Sequence, residues 1–229
     1  MGGDDIFPAP LLHLGPVDLG ATVITTWAVM LLLVLPAALL QRRLQQHAGP
    51  LQSAVEGVVA TIESSIQAVA PAHTRQLLPF IGTLWIYILA ANLVGLIPGL
   101  HSPTRDLSAT AALAFLVFLA AHWFGIRAEG VRAYLRHYLT PSPLLLPFHI
   151  ISEITRTVAL AVRLFGNMMS LEMAAVLVLF VAGFLVPVPI LMLHIVEALV
   201  QAYIFGMLAL IYIAGGLQSQ QRRQQQKEE

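Results

Sequence analysis

The sequence predicts an all-α, polytopic membrane protein with about five transmembrane helices and one amphipathic helix at the membrane interface, in a single domain. Three observations carry that expectation. Of the 229 residues, 58% are hydrophobic and only 10% charged, with a mean hydropathy of +0.79, far from the balance of a water-soluble domain. The apolar residues fall in runs long enough to cross a hydrocarbon core at about 1.5 Å per residue. The runs are separated by short segments rich in proline, glycine and arginine.

Residues 1–19 are dotted with Pro8, Pro10 and Pro16 and read as an extended lead-in. With Asp4 and Asp5 at the start and no Lys or Arg before Arg42, the first apolar run is expected to be retained rather than cleaved as a signal peptide. Residues 20–41 form the first span, with a kink expected at Pro36 and a stop at Arg42 and Arg43. In residues 51–70, Leu51, Val55, Val58, Val59, Ile62, Ile66 and Val69 recur at helical spacing, with Gln52, Glu56, Glu63 and Gln67 off that stripe. Such a helix lies on the cytoplasmic membrane surface or a partner, or packs on another helix of the chain.

Residues 77–97 and 107–126 are the second and third spans, joined by turn residues. Residues 144–183 form the fourth, about 60 Å long if helical throughout, and therefore tilted or partly outside lipid. A Val-Pro-Val-Pro turn at residues 186–189 leads to the last span, residues 190–216, and residues 217–229 form a polar, frayed tail. Nine of the twelve Lys and Arg residues cluster at one set of span ends: Arg42, Arg43, Arg75, Arg127, Arg132, Arg136, Arg222, Arg223 and Lys227. Only Arg105 falls at the opposite ends. By the positive-inside rule the N-terminus lies outside and the C-terminus in the cytoplasm.

Charges inside the last two spans are the functional signal, because each costs about 2.5–3.5 kcal/mol at bilayer depth on insertion scales. Glu153 and Arg156 are three residues apart and can pair. Arg163 lies seven residues beyond Arg156 and on roughly the same face, with Asn167 one turn further. Glu172 is rotated by roughly 180° from Arg163, so the two look at different neighbours. His194, Glu197 and Gln201 make one polar stripe on an otherwise apolar helix, the pattern of an ion pathway. Plainer roles stand beside these: Glu153 as a mere partner for Arg156, Glu197 as partner to a neighbouring cation, His194 as an interior histidine, Asp106 as a helix cap, and Arg163 as a strut to Glu172 or Glu197.

Several separate runs resemble one family. LAVRLFGNMMSLEM followed by HIVEALVQAYIFGMLALIYI is similar to subunit a of the F-type ATP synthase membrane sector, bacterial type. SPTRDLSATAALA and NLVGLIPG are also similar to segments of that family, and the resemblance covers residues 20–216. It implies a stator in the bacterial inner membrane that holds two offset half-channels against a rotating ring of c subunits. It also implies b-type peripheral stalk subunits as partners and no cofactor. On this resemblance Arg163 matches the essential arginine, Asn167 and Gln201 match nearby polar positions, and Glu172 and His194 match residues lining an access channel. Leu171, where glycine is frequent, and the added Glu197 depart from the pattern. They leave the coupling ion open, with proton the default and sodium the alternative.

Other classes fit less well. A neutral net charge gives no footprint for nucleic acid. No GxxxxGKS/T loop is present, so ATP chemistry is expected on partners and this chain is expected to move ions rather than catalyse. No metal is expected: cysteine is absent, and His194-Ile-Val-Glu197 is not the HExxH of a metalloprotease. A self-contained transporter would show internal repeats or broken helices, and the sequence has neither.

Overall fold

A computed structural model describes residues 10–14, 17–42, 49–97, 100–131, 146–182 and 187–228. The chain is helical, with a short antiparallel hairpin at its start: β1 (Pro10–Leu14) pairs with β2 (Val17–Gly20). The lead-in is thus extended, and its two halves satisfy each other's backbone groups. The helices are α1 (Ala21–Arg42), α2 (Pro50–Val69), α3 (Thr74–Val94), α4 (Leu107–Glu129), α5 (Leu146–Ala182) and α6 (Pro187–Glu228). All but α2 are long and apolar enough to cross a membrane, which makes five candidate spans among the described residues. Expectations resting on Asp4, Asp5, Pro8, Pro16, Arg43, Arg132, Arg136 and Val186 fall on residues outside that description, whereas Pro187–Pro189, expected as turn, are helical and open α6.

Helix α3 is the centre of the bundle. Leu77, Ile81, Leu84, Ile88 and Ala91 are spaced by four and three and are all buried. They meet the face of α6 made by Ala202, Phe205, Ala209, Leu210 and Ile213. Small residues on α6 let the backbones approach closely, the usual solution where lipid offers no hydrophobic drive between helices. Trp85 uses this space: its indole lies against Gly206, where a built Cβ would overlap the ring. Tyr203 packs on the same indole with ring centroids 5.6 Å apart.

The amphipathic helix divides along its length. Ile62 and Ile66 are buried in the core beneath α3, whereas Val55, Val58 and Val59 at the other end are exposed. The stripe therefore serves both as an internal packing surface and as an apolar face turned outward. Helix α1 continues through Pro36 and exposes Trp27, Leu31, Leu32, Leu35 and Leu39, as a lipid- or partner-facing helix must.

Helix α6 does not end with its apolar residues. It runs on to Glu228 through the tail expected to fray. That tail has no glycine or proline after Gly216, and Gln, Arg, Lys and Glu are good helix formers continuing an existing nucleus. At the other end, α6 opens on Pro187 with Pro189 in its first turn, where an absent N–H is tolerated.

Candidate functional site

The polar side chains of α5 sort by face. Leu160, Leu164, Met168 and Leu171 form its buried ridge, and the polar groups flank this ridge on either side. On one flank stand Arg163 and Asn167, and on the other Glu172, as a helical repeat of roughly 100° requires. Packing gives each flank different neighbours.

On the first flank, Asn167 Nδ2 donates to Gln201 Oε1 of α6 at 2.7 Å. Gln201 is 1% exposed, so this bond is made inside the helix pair rather than at its edge. One turn away Arg163 is exposed on the bundle surface and makes no hydrogen bond or ion pair with any described residue. The strut to Glu172 or Glu197 is therefore not present. A guanidinium facing outward from an apolar helix, beside exposed Val162, is a charge without an internal partner.

On the second flank, Glu172 Oε2 accepts from Arg105 Nη1 at 2.8 Å. Arg105 belongs to the single helical turn Pro103–Arg105 that precedes α4. Beside it lies a buried polar cluster. Asn92 of α3 accepts from Thr104 Oγ1 at 2.6 Å, Thr104 and Ser102 share a hydrogen bond of 2.6 Å, and Ser102 Oγ donates to the Ala91 carbonyl at 2.8 Å. His194 of α6 reaches this cluster, its Nε2 lying 3.3 Å from the Asn92 carbonyl oxygen. Glu197, one turn along α6 and half-buried, makes no hydrogen bond or ion pair among the described residues.

The remaining candidates have structural partners. Asp106 caps α4, accepting from the Ser108 backbone N–H at 2.9 Å, and also accepts from Thr22 Oγ1 of α1 at 2.8 Å. Arg156 Nη1 lies 4.0 Å from Glu153, and its guanidinium stands 4.8 Å above the Tyr212 ring. Arg156 is thus held between α5 and α6.

Asn92, Thr104 and Arg105 lie outside the last two spans, on α3 and the Pro103–Arg105 turn, and Tyr212 is an aromatic on α6 that no charge pattern marks. A polar asparagine near the end of an apolar span, and a lone arginine on the weakly charged side, were the available signals.

These are the polar groups of a five-span bundle. Residues 23–214 match the family model described as ATP synthase A chain. The chain belongs to that family. It is 64% identical over 219 residues to "ATP synthase subunit a 2" of Pelobacter propionicus, covering 96% of both chains. It is 65% identical over 207 residues to "ATP synthase subunit a 1" of Hahella chejuensis, covering 90% of this chain and 88% of the relative. "ATP synthase subunit a" of Legionella pneumophila is 53% identical over 232 residues, with 98% of each chain covered. The chain is a multi-pass membrane protein of the ATP synthase membrane sector.

Proposed function

We propose that this chain is the stator of a rotary ATP synthase, in which two ion half-channels and Arg163 couple proton flow, or alternatively sodium flow, to rotation of a ring of c subunits. The observation that carries the reading is the exposed Arg163 on a membrane-spanning helix, unpaired among the described residues. Arginine stays protonated in proteins, so it acts as a fixed charge and not as an ion carrier. Such a charge attracts the deprotonated carboxylate of a passing rotor subunit and bars direct passage of a cation between the two half-channels. The Asn167–Gln201 bond joins α5 to α6 one turn away and holds the surface on which the arginine stands. Glu172 and His194 belong to the outer half-channel in this reading, with Glu197 further along the same helix. Glu153 and Arg156 lie toward the cytoplasmic one. The b-type stalk subunits anchor the chain against the torque of the ring.

The test is Arg163→Ala in the complete enzyme, in membrane vesicles. Alanine is cheaper in lipid than arginine, so the chain still inserts. ATP-driven ion uptake is expected to vanish while passive ion leak through the membrane sector rises. Arg163→Lys is expected to fail nearly as completely, since lysine loses the planar fork and its charge is readily lost on desolvation. Near-normal pumping by the alanine variant refutes the reading.

A further inference from the structure

Glu172 is held by one oxygen only. Arg105 takes Oε2, while Oε1 is buried and has no hydrogen-bond partner among the described residues. The Asn92 Nδ2 amide is likewise buried without a partner, on a residue that is 0% exposed. The two belong to one cluster, and Gly95 marks its middle. A Cβ built there would lie 3.2 Å from Ser102 Cβ, 3.3 Å from Glu172 Oε1 and 3.4 Å from the Asn92 carbonyl oxygen. That same carbonyl is the one His194 Nε2 approaches. The absent side chain of Gly95 lets Oε1, Ser102 and the carbonyl that bonds the histidine close in on one point.

One orphan donor and one orphan acceptor are complementary to water, which accepts from an amide and donates to a carboxylate. A hard metal cation needs oxygen ligands on most sides. Here it would meet amide hydrogens and a permanent guanidinium already bound to the same carboxylate. The side chain of Arg105 is 41% exposed and that of Glu172 only 14%, so the arginine stands between solvent and the carboxylate.

We propose that Arg105 is a selectivity residue of the outer half-channel: bonded to Glu172, it keeps metal cations off the carboxylate and leaves a water-filled route that passes protons toward His194. This rests on the stator reading and narrows its ion to the proton. Arg105→Gln keeps a hydrogen-bonding side chain but removes the charge, whereas Arg105→Lys keeps it.

The experiment uses the assembled enzyme in inverted vesicles, reading ATP-driven acidification over a range of sodium concentrations and uptake of radioactive sodium. The wild-type enzyme and Arg105→Lys are expected to pump protons without response to sodium and to take up none. Arg105→Gln is expected to become sodium-sensitive, losing at least half of its proton pumping at a sodium concentration that leaves the wild-type enzyme unaffected. If Arg105→Gln assembles without pumping, sodium leak through vesicles stripped of the catalytic head is read instead, and an increase over wild type is expected. A sodium-indifferent Arg105→Gln, pumping or leaking, overturns the proposal. So does sodium uptake by the wild-type enzyme, a result that stands even if no Arg105 variant assembles. Failure of the stator reading itself would appear separately, as normal pumping by Arg163→Ala.

Discussion

Asn167 on α5 and Gln201 on α6 meet at 2.7 Å inside the helix pair, one helical turn from an arginine that bonds to no described residue. The bond fixes the register of the two helices that carry every ionisable candidate of the last two spans. Gln201→Leu fills similar volume but leaves the Asn167 amide without its partner. Interhelical hydrogen bonds of this kind contribute about 0.6 kcal/mol on average, so assembly should persist. ATP-driven ion uptake should fall severalfold as the surface beneath Arg163 loosens, and a double-mutant cycle with Asn167→Leu should be non-additive. Additive effects on uptake would separate this bond from coupling.

The α3–α6 contact depends on Gly206. A Cβ at that position would overlap the Trp85 indole, whose Nε1 is buried. Gly206→Ala should therefore force the helices apart at a cost of about 1–3 kcal/mol, the range for overpacked cores. Thermal stability of the detergent-solubilised complex measures this. Trp85→Leu should partly rescue Gly206→Ala, because it removes the ring that the methyl group strikes. No rescue would place the clash elsewhere.

Asp106 is expected to matter for stability rather than ion movement. It caps α4 and ties α4 to Thr22 of α1. Asp106→Ala should destabilise the chain by about 0.5–2 kcal/mol, the range for a lost cap, and Thr22→Val by less because the cap remains. Assembled enzyme carrying either variant should pump ions at a near-normal rate per complex. A large loss of pumping in fully assembled Asp106→Asn would instead put this carboxylate on the ion route.

The arginine distribution predicts an orientation with the Arg105 side outside and the C-terminus in the cytoplasm. Reporter fusions after Gly216 and within residues 100–106 should report opposite sides of the membrane. Agreement between the two would invert or break the five-span arrangement.

The sequence by itself determined the spans and the chemistry available within them. Long apolar runs can satisfy their backbone in lipid only as helices, and charges at bilayer depth stand out against such a background. Arg163, Glu172 and His194 were legible for that reason, as was the opposition of Arg163 and Glu172 around α5, since helical phase is local. Partners are not local. Glu172 pairs with Arg105, 67 residues away in sequence, and His194 reaches the carbonyl of Asn92, 102 residues away. The amphipathic stripe could equally have met lipid or protein, and only the fit of Ile62 and Ile66 under α3 decided that one end packs internally while Val55, Val58 and Val59 stay exposed. The tail looked frayed because its composition is polar. It remains helical because α6 has already nucleated the helix, and each added residue extends a hydrogen-bond ladder it did not have to start. The close approach of α3 and α6 rests on Trp85 against Gly206, a glycine that no periodicity distinguishes from the others.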